Sequence, residues 1–416
     1  MRINFLVVYL ILFILSGPLW AGQGASELKH SDELKLNPKL QLREVLQQTL
    51  ARNPKLFTLQ SRNAWVKAKK TMAESLLPTS PAITVMHLND GLASNRGERE
   101  WQAELELPLW MQNQRNMRTK VADASLAYAT LSRENLKLQL AGELREILWL
   151  IAYNENNHAL AINKLALAKN LQRDVERRYQ AGEMAMTDVM VVEQDSLRFE
   201  KEKLRAEAEL KHASHRYFLL TGLHEVPANI EEQQSPLQDY SQSSIWAEAQ
   251  SSLALAETER DLAFIESREN LHLSLNAQSS KGAFDNAAND SVGMKLRIPF
   301  GEDARAAPIN AAAEMGVGQA LSARESLRLE LEAAMHEAEH NLEVSRAELA
   351  LASKQFDIAK KSASLAQKAF QFGESDLVSL LRVQAQTYEA ERAYTSRKIQ
   401  VQWDIARYNQ AVGALP

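Results

Sequence analysis

Two stretches of the chain alternate between apolar and polar residues, which is the pattern of a β-strand with one apolar face. They cover residues 98–109 and 291–300. The apolar positions are Trp101, Ala103, Leu105, Leu107 and Leu109 in the first stretch, and Val292, Met294, Leu296, Ile298 and Phe300 in the second. A shorter strand pattern precedes each stretch, over about 82–88 and 271–279, across a segment rich in turn-forming residues. The sequence therefore predicts two pairs of strands, each joined by a turn.

A long helix is predicted after each pair of strands. Residues 111–179 contain no proline, and residues 306–370 repeat the plan. At 1.5 Å per residue the first helix would be roughly 100 Å long. A glycine turn and a returning helix follow each, with the returning helices over 184–220 and 374–412. The second long helix has a seven-residue repeat, which predicts coiled-coil packing. The repeated positions are Leu342, Leu349, Phe356, Ala363 and Phe370.

Three pairs of landmarks share a spacing of about 191 residues, which indicates an internal duplication. They are Pro108 and Pro299 at the strand-to-helix junctions, Gly182 and Gly373 at the helix turns, and Gly222 and Gly413 after the returning helices. We therefore predict a first repeat over 22–222 and a second over 245–416. The polar segment 223–244 would link them.

The N-terminus has the pattern of a cleaved signal peptide over residues 1–21, so we expect export, with cleavage between about Ala21 and Ala25. Its apolar run is too short to span a bilayer. The absence of cysteine excludes disulfides, thiolate metal sites and a lipid-modified cysteine. A net charge of −5 gives no support for nucleic-acid binding. We find no phosphate-binding loop and no nucleophile–base constellation, so we predict no enzyme activity and no cofactor.

Four strands of about ten residues with an apolar face are long enough to cross an outer membrane at a tilt. Four strands alone leave open edges, and single-chain barrels need at least eight. We therefore expect several copies of the chain to share one barrel. The predicted fold class is a mixed α/β membrane protein, in which a coiled-coil helical barrel continues from transmembrane β-barrel strands, four per chain.

In these features the sequence resembles the TolC family of outer-membrane efflux channels over essentially the whole mature chain. The residues that carry the resemblance are the junction prolines Pro108 and Pro299, the motifs Arg178-Tyr179-x-x-Gly182 and Phe370-x-x-Gly373, the Asn53-Pro54 break, and Leu220-Thr221-Gly222-Leu223. The resemblance implies a homotrimer with a twelve-stranded barrel in outer-membrane lipid and a twelve-helix periplasmic tunnel. It also implies a periplasmic adaptor (membrane fusion protein) and an inner-membrane RND pump as partners.

Within the family, the missing lipid-anchor cysteine, the modest length and the segment Leu109-Trp110-Met111-Gln112-Asn113-Gln114-Arg115 are most similar to the CzcC-type heavy-metal branch. The implied function is a passive exit duct for heavy-metal cations. A multidrug or type I secretion channel is an alternative on the same scaffold. A soluble periplasmic coiled-coil adaptor is a second alternative, although no sequence for a lipoyl-like or barrel domain separates the halves.

The resemblance also indicates a channel entrance at the helix turns, where acidic residues beyond the glycine narrow the pore and favour cations. Asp188 lies six residues after Gly182 and matches that acidic position. The equivalent position after Gly373 is Ser379, with Asp376 three residues earlier. A ring of carboxylates there would raise the local cation concentration. The structural alternative is that Asp188 caps the start of a helix.

Arg178 and Tyr179 are candidates for holding the entrance closed through contacts with a neighbouring helix. Ordinary coiled-coil packing with a solvated arginine is the alternative. Gly182 and Gly373 are predicted to form tight turns under both interpretations, and the resemblance implies that these turns contact the adaptor.

His336-Glu337-Ala338-Glu339-His340 matches the HExxH pattern of zinc peptidases. Because it lies within a coiled-coil sequence and has no evident third ligand, we do not predict catalysis. A solvated helix face is favoured over transient contact with a passing metal ion, and the pair His212 and His215 has the same status. The remaining histidines considered are His87 and His272 on strands and His158 on a packing seam.

Overall fold

A computed structural model describes residues 34–301 and 303–416. The predicted signal peptide over 1–21 lies outside these residues. The helices are α1 Leu42–Arg52, α2 Lys55–Glu74, α3 Gln114–Gln180, α4 Met186–Thr221, α5 Ser244–Glu266, α6 Asp303–Gln371 and α7 Leu377–Ala411. The strands are β1 Lys35–Asn37, β2 Ala82–Asn89, β3 Arg99–Leu109, β4 Glu225–Pro227, β5 Leu271–Lys281 and β6 Asn289–Arg297. None of the helices described is both long and apolar enough to cross a membrane.

The two long helices start at positions set by local chemistry. α3 begins at Gln114, three residues later than the predicted 111, because Asn113 has a positive φ of 64° and the Gln114 side chain accepts the Met111 N–H at 3.1 Å. α6 begins at Asp303, so Pro308 lies inside the helix, where it removes one helical hydrogen bond. The order helix, strand, strand, long helix, shorter helix occurs twice along the chain. A common origin of the two halves stays a prediction.

The four long strands form one antiparallel sheet in the order β2-β3-β5-β6. Its register places apolar residues side by side on one face. One row is Ile83, Leu105, Leu275 and Met294, and the next is Val85, Ala103, Ala277 and Val292. This face is open in a single chain, where Met294 is 79% exposed and Val292 is 89% exposed. A surface of this kind needs an apolar environment.

The opposite face of the sheet has polar and charged side chains that lie close to one another. The Lys295 ammonium lies 2.9 Å from a Glu104 carboxylate oxygen on β3. Nearer the helices, Nδ1 of His272 lies 2.5 Å from a Glu106 carboxylate oxygen. The sheet therefore separates an apolar side from a charged side, as the alternation in the sequence predicts.

The helices form a single layer that continues the order of the strands. Next to the sheet, α2 packs on α3, α3 on α5 and α5 on α6. Further from the sheet, α4 packs on α3, α3 on α7 and α7 on α6. Within α6, the buried or half-buried side chains towards α7 follow the predicted seven-residue pattern, and the Phe356 ring stacks on Tyr394 with centroids 5.6 Å apart.

The middle of the molecule contains a buried polar network that the sequence did not reveal. The predicted linker 223–244 contributes β4, which pairs in parallel with β1. It also contributes Glu232, whose carboxylate accepts two hydrogen bonds from Arg145 of α3, at 2.7 and 2.8 Å. Arg145 further donates to Gln410 Oε1 at 2.7 Å and to the Ala414 carbonyl at 2.9 Å. The network therefore ties α3, the linker and the C-terminus together.

We expect Arg145→Met to lower the free energy of unfolding by about 3–5 kcal/mol, because it leaves the Glu232 carboxylate buried without its partner. The two side chains are only 4% and 10% exposed. Arg407→Met is the matched control, since Arg407 pairs with Glu146 at 2.8 Å while 44% exposed, and its loss should cost less than about 1 kcal/mol. Chemical denaturation would measure both. Equal losses would show that the buried network does not stabilise the fold.

Candidate functional site

The long helices α3, α4, α6 and α7 form a rod, and the predicted glycine turns join them in pairs at the end of this rod away from the sheet. Gly182 has a φ of +81° and Gly373 a φ of +73°, a region that favours glycine. After each turn the chain closes back onto the helix: Glu183 N–H donates to the Arg178 carbonyl at 2.9 Å, and Glu374 N–H donates to the Ala369 carbonyl at 2.8 Å. Both turns therefore have the hydrogen bonds of a Schellman motif.

An apolar cluster holds the two turns side by side. Its buried members are Val175, Val189 and Val192 from the first helical hairpin, and Phe370, Leu377 and Leu380 from the second. Because residues from both hairpins share this cluster, the two turns lie at one end of the molecule and at similar height.

The two predicted acidic residues both cap helices in a single chain. The half-buried Asp188 accepts the Ala185 N–H at 3.1 Å, next to the start of α4. The exposed Asp376 is the residue before α7 and accepts the Ser379 N–H at 2.6 Å. The hydrogen bonds from Ser379 hold the pKa of Asp376 below its usual value. The capping alternative is therefore present at both positions, and a pore role would be additional to it.

Arg178 and Tyr179 occupy different environments. The Arg178 guanidinium lies 4.9 Å from the centroid of the Phe370 ring and 3.4 Å from Asp174, so it connects the two hairpins within one chain. The Tyr179 side chain is 42% exposed. Arg178 is thus engaged inside the chain, whereas Tyr179 faces outward near the turn.

The two junction prolines are not equivalent. Pro108 is buried inside β3, opposite His272. Pro299 follows the end of β6 at Arg297, three residues short of the predicted strand end. Both precede a long helix, as predicted.

The junction between sheet and helices also contains polar contacts that sequence patterns did not indicate. Gln114, at the start of α3, is 1% exposed and donates to Glu266 at 3.1 Å. Asn270 donates to the Gln114 side chain and to the Leu109 carbonyl, both at 2.8 Å. These contacts tie the end of β3 and the start of α3 to residues at the end of α5 and just after it. They come from distant parts of the sequence, so no local pattern could reveal them.

The two histidines of the HExxH pattern, His336 and His340, lie on an exposed side of α6. Among the described residues, no group of three or more His, Asp or Glu side chains is placed to hold a metal ion. Glu337, between the two histidines in sequence, instead lines a cavity together with Arg407 and Asp404. The exposure of this histidine pair agrees with the predicted solvated face.

A further cavity of about 190 Å³ lies among α3, α4, α6 and α7, above the turns. Lys164 reaches into it, with its ammonium 3.6 Å from the centroid of the Tyr388 ring and 4.6 Å from that of Phe199. Burial lowers the pKa of Lys164 to about 8, against the opposing effect of the Glu202 carboxylate. The sequence analysis missed this lysine, because a lone lysine on a long helix is indistinguishable from a solvated one.

We expect Lys164→Met to raise the melting temperature at pH 7 and this gain to shrink as the pH rises through 8 towards 10.5. Between pH 8 and 10.5, Lys164 keeps its proton in the unfolded chain but has lost it in the folded chain. The free energy of unfolding of the natural protein therefore rises with pH in this range. Thermal melts from pH 7 to 9.5 would measure the difference. Lys169→Met, at a half-exposed lysine on the same helix, is the control and should show no such trend.

Comparison with known proteins identifies the fold. No family model matches the sequence, and no curated protein matches it either. Among solved structures, the CmeC outer membrane channel of Campylobacter jejuni is 13% identical over 99% of this chain and 94% of its own, with a TM-score of 0.71. The outer membrane protein VceC of Vibrio cholerae is 14% identical over 90% and 96%, with a TM-score of 0.73. The MtrE outer membrane channel of Neisseria gonorrhoeae, in its open state, is 16% identical over 94% and 93%, with a TM-score of 0.61.

The chain therefore has the fold of these outer-membrane channels over nearly its whole described length. At the level of the fold, the expectation drawn from the sequence resemblance is confirmed. Sequence identities of 13–16% carry the comparison no further than the fold.

Proposed function

We propose that this chain is one subunit of a homotrimeric, TolC-type channel in the outer membrane, and that the channel is the passive exit duct of a tripartite efflux system. The observation that carries the proposal is that a single chain is an open layer. Its sheet exposes an apolar face, and both edges of its helical layer expose apolar stripes. Further copies of the chain would cover these surfaces.

The sheet supports a membrane location for this part of the chain. Its strands are 8–11 residues long, close to the length that crosses a bilayer at a tilt. Within the described part of one chain, the two edge strands β2 and β6 each have one side without a partner strand. Hydrocarbon does not tolerate such edges, so β6 of one copy would pair with β2 of the next. A soluble adaptor would leave the same apolar face in water.

The helical edges support the same assembly. α6 has a second apolar stripe, distinct from the one packed on α7, which recurs every seven residues. Its members on α6 are Val344, Leu351, Ile358 and Leu365, and Phe372 extends the repeat just beyond the end of the helix; these side chains are between 41% and 80% exposed. α4, at the other edge of the layer, has a matching stripe of Met190, Leu197 and Leu204, which are 58–62% exposed. A heptad stripe on each edge is what a coiled-coil contact between copies requires.

The two stripes also match in height. Met190 lies eight positions after Gly182, and Leu365 lies eight positions before Gly373. Leu197 and Ile358 are each 15 positions from their glycine, and Leu204 and Leu351 are each 22 positions from it. Since the two turns pack side by side, each residue of one stripe has a counterpart at the same distance from the turns. The stripes can therefore interlock along α4 of one copy and α6 of the next.

In this assembly the sheet anchors the channel in outer-membrane lipid and the helical barrel extends into the periplasm. The turns at Gly182 and Gly373 lie at the far end, where a periplasmic adaptor and an inner-membrane RND pump would be met. No catalytic constellation is required of the duct itself, since the pump supplies the energy. The repeats 22–222 and 245–416 would contribute equivalent halves of the wall.

Heavy-metal cations are the cargo that we propose, as the CzcC-like features of the sequence suggest. Asp188 and Asp376 from three copies would place six carboxylates near the entrance, which favours cations. A multidrug or type I secretion channel on the same scaffold would show the same assembly with a different cargo. Recording single-channel currents from the purified protein in a planar bilayer tests the proposal. Cation-selective steps are expected, and the absence of any conductance would contradict a channel.

Asp188→Asn is expected to lower the selectivity of this conductance for cations over anions. The amide keeps an oxygen that can accept the Ala185 N–H, so the start of α4 should be preserved while three charges are lost from the trimer. Reversal potentials in a salt gradient measure the change. Asp357→Asn, on an exposed position of α6 higher on the rod, is the control and should leave selectivity unchanged. An unchanged reversal potential in Asp188→Asn would leave Asp188 with its capping role alone.

A further inference from the structure

Two pairs of histidines lie along the edge stripes of α6 and α4. His336 and His340 are one helical turn apart on α6, both exposed, with rings 7° from parallel and centroids 6.4 Å apart. His212 and His215 are three residues apart on α4, where the His215 ring lies 6.5 Å from the Phe218 ring. Spacings of three and four residues place the members of each pair on one face of their helix.

Both pairs lie at the same level of the rod. His340 lies 33 positions before Gly373, and His215 lies 33 positions after Gly182. Each is therefore about 50 Å from its turn. Contacts between the two hairpins of one chain show how closely positions counted from the two turns correspond. Lys164 of the first hairpin touches Tyr388 of the second. Their separations from Gly182 and Gly373 differ by three positions, and those of Asn156 and Thr395, which are hydrogen bonded, differ by four, so positions counted from the two turns give the level along the helices to about one helical turn.

Both histidines of α6 and one histidine of α4 continue an apolar stripe. On a helix of 3.6 residues per turn, His340 lies in line with Leu351 and Ile358, and His336 lies in line with Leu329, which is 58% exposed. His215 lies in line with Leu197 and Leu204, and the exposed His212 lies about 60–80° to one side of that line, one turn nearer the glycine turn. When α4 of one copy packs against α6 of the next along these stripes, the two histidine pairs face each other at the upper end of the contact.

We propose that His336 and His340 of one copy, with His212 and His215 of the neighbouring copy, form a binding site for a divalent transition-metal ion such as Zn²⁺. This inference rests on the trimer proposed above, which would contain three such sites. Imidazole nitrogens are preferred ligands of Zn²⁺, Cu²⁺ and Ni²⁺, and four of them satisfy the tetrahedral coordination of Zn²⁺. Two histidines from one chain leave that coordination incomplete, which agrees with the finding that the described residues of a single chain have no metal-binding group of three or more.

A metal ion at this position would link neighbouring rods near the middle of the molecule, about 50 Å from the turns. It would therefore act on the contact between subunits rather than on the entrance. Binding should raise the temperature at which the trimer dissociates, because only the assembled state has the complete site.

The test uses the full-length protein, purified in mild detergent and freed of metal, with Zn²⁺ as the probe. Isothermal titration is expected to give one Zn²⁺ per chain. His336→Ala/His340→Ala and His212→Ala/His215→Ala should each weaken binding at least tenfold and abolish the Zn²⁺-dependent rise in dissociation temperature. His87→Ala/His158→Ala removes the same number of histidines elsewhere and should bind as the natural protein does.

Three results would overturn the site. They are no Zn²⁺ binding by the natural protein, full binding by His212→Ala/His215→Ala, and equal loss in the His87→Ala/His158→Ala control. The particle mass, measured on the same samples, separates this failure from failure of the assembly. A trimer that shows one of these results contradicts the metal site alone, whereas a particle that is not a trimer contradicts the proposed assembly and the site with it.

Discussion

Ile358→Glu is expected to convert the oligomer into monomers. In a single chain Ile358 is 69% exposed, so the substitution should leave the chain's own fold intact. In the proposed trimer the same side chain lies inside the contact between α6 and α4 of the next copy. A carboxylate buried there without a partner costs several kcal/mol, and each trimer contains three such contacts. Particle mass and circular dichroism would measure assembly and folding separately.

Ser364→Glu is the matched control for this substitution. Ser364 is exposed on the same helix, six residues away, and lies on a different face from the stripe of Leu351, Ile358 and Leu365. It should leave the oligomer intact. If Ile358→Glu stays assembled, or if both variants dissociate alike, the stripe is not the contact between copies.

Met294→Arg is expected to reduce the amount of protein in the outer membrane severely. Met294 lies in the apolar row of β6, and an arginine on the lipid side of a barrel costs about 2–4 kcal/mol near the midplane of the bilayer. Three copies of the substitution enter each trimer, so the total penalty of about 6–12 kcal/mol is comparable to the whole free energy of unfolding of a typical protein. Membrane fractionation followed by immunoblotting would measure the loss.

Gln278→Arg provides the control on the other face of the sheet. Gln278 donates to Glu100 at 2.6 Å, so an arginine there has a carboxylate within reach. The neighbouring residue of Met294, Lys295, already shows that this face accepts a positive charge beside Glu104. Gln278→Arg should therefore reach the outer membrane. Equal amounts of both variants in that fraction would contradict the assignment of the apolar face to lipid.

The elements with a regular pattern were predictable from the sequence. The alternation of apolar and polar residues predicts a strand at 98–109, within two residues of the observed bounds Arg99–Leu109. The seven-residue repeat that includes Phe356 and Phe370 identifies the side of α6 that packs on α7. Each pattern indicates a strand or helix face that is apolar along its whole length, and the element packs through that face.

Contacts between distant, isolated residues were not predictable. The strand pair β1 and β4 has three residues on each side, too few for a period, and the partners Arg145 and Glu232 are 87 positions apart. At the turns, the sequence indicated Asp188 and Asp376, and the structure shows them as helix caps; their role at an entrance depends on neighbouring copies and stays a prediction.

The mass of the particle extracted from the outer membrane tests the central proposal most directly. The full chain has a mass of 46.7 kDa, and the account predicts a particle of three mature chains after the bound detergent is subtracted. Analytical ultracentrifugation or light scattering of the membrane extract would give this value. A monomer or dimer in the soluble periplasmic fraction would contradict the shared channel, because the apolar face of the sheet would then have to be covered in some other way.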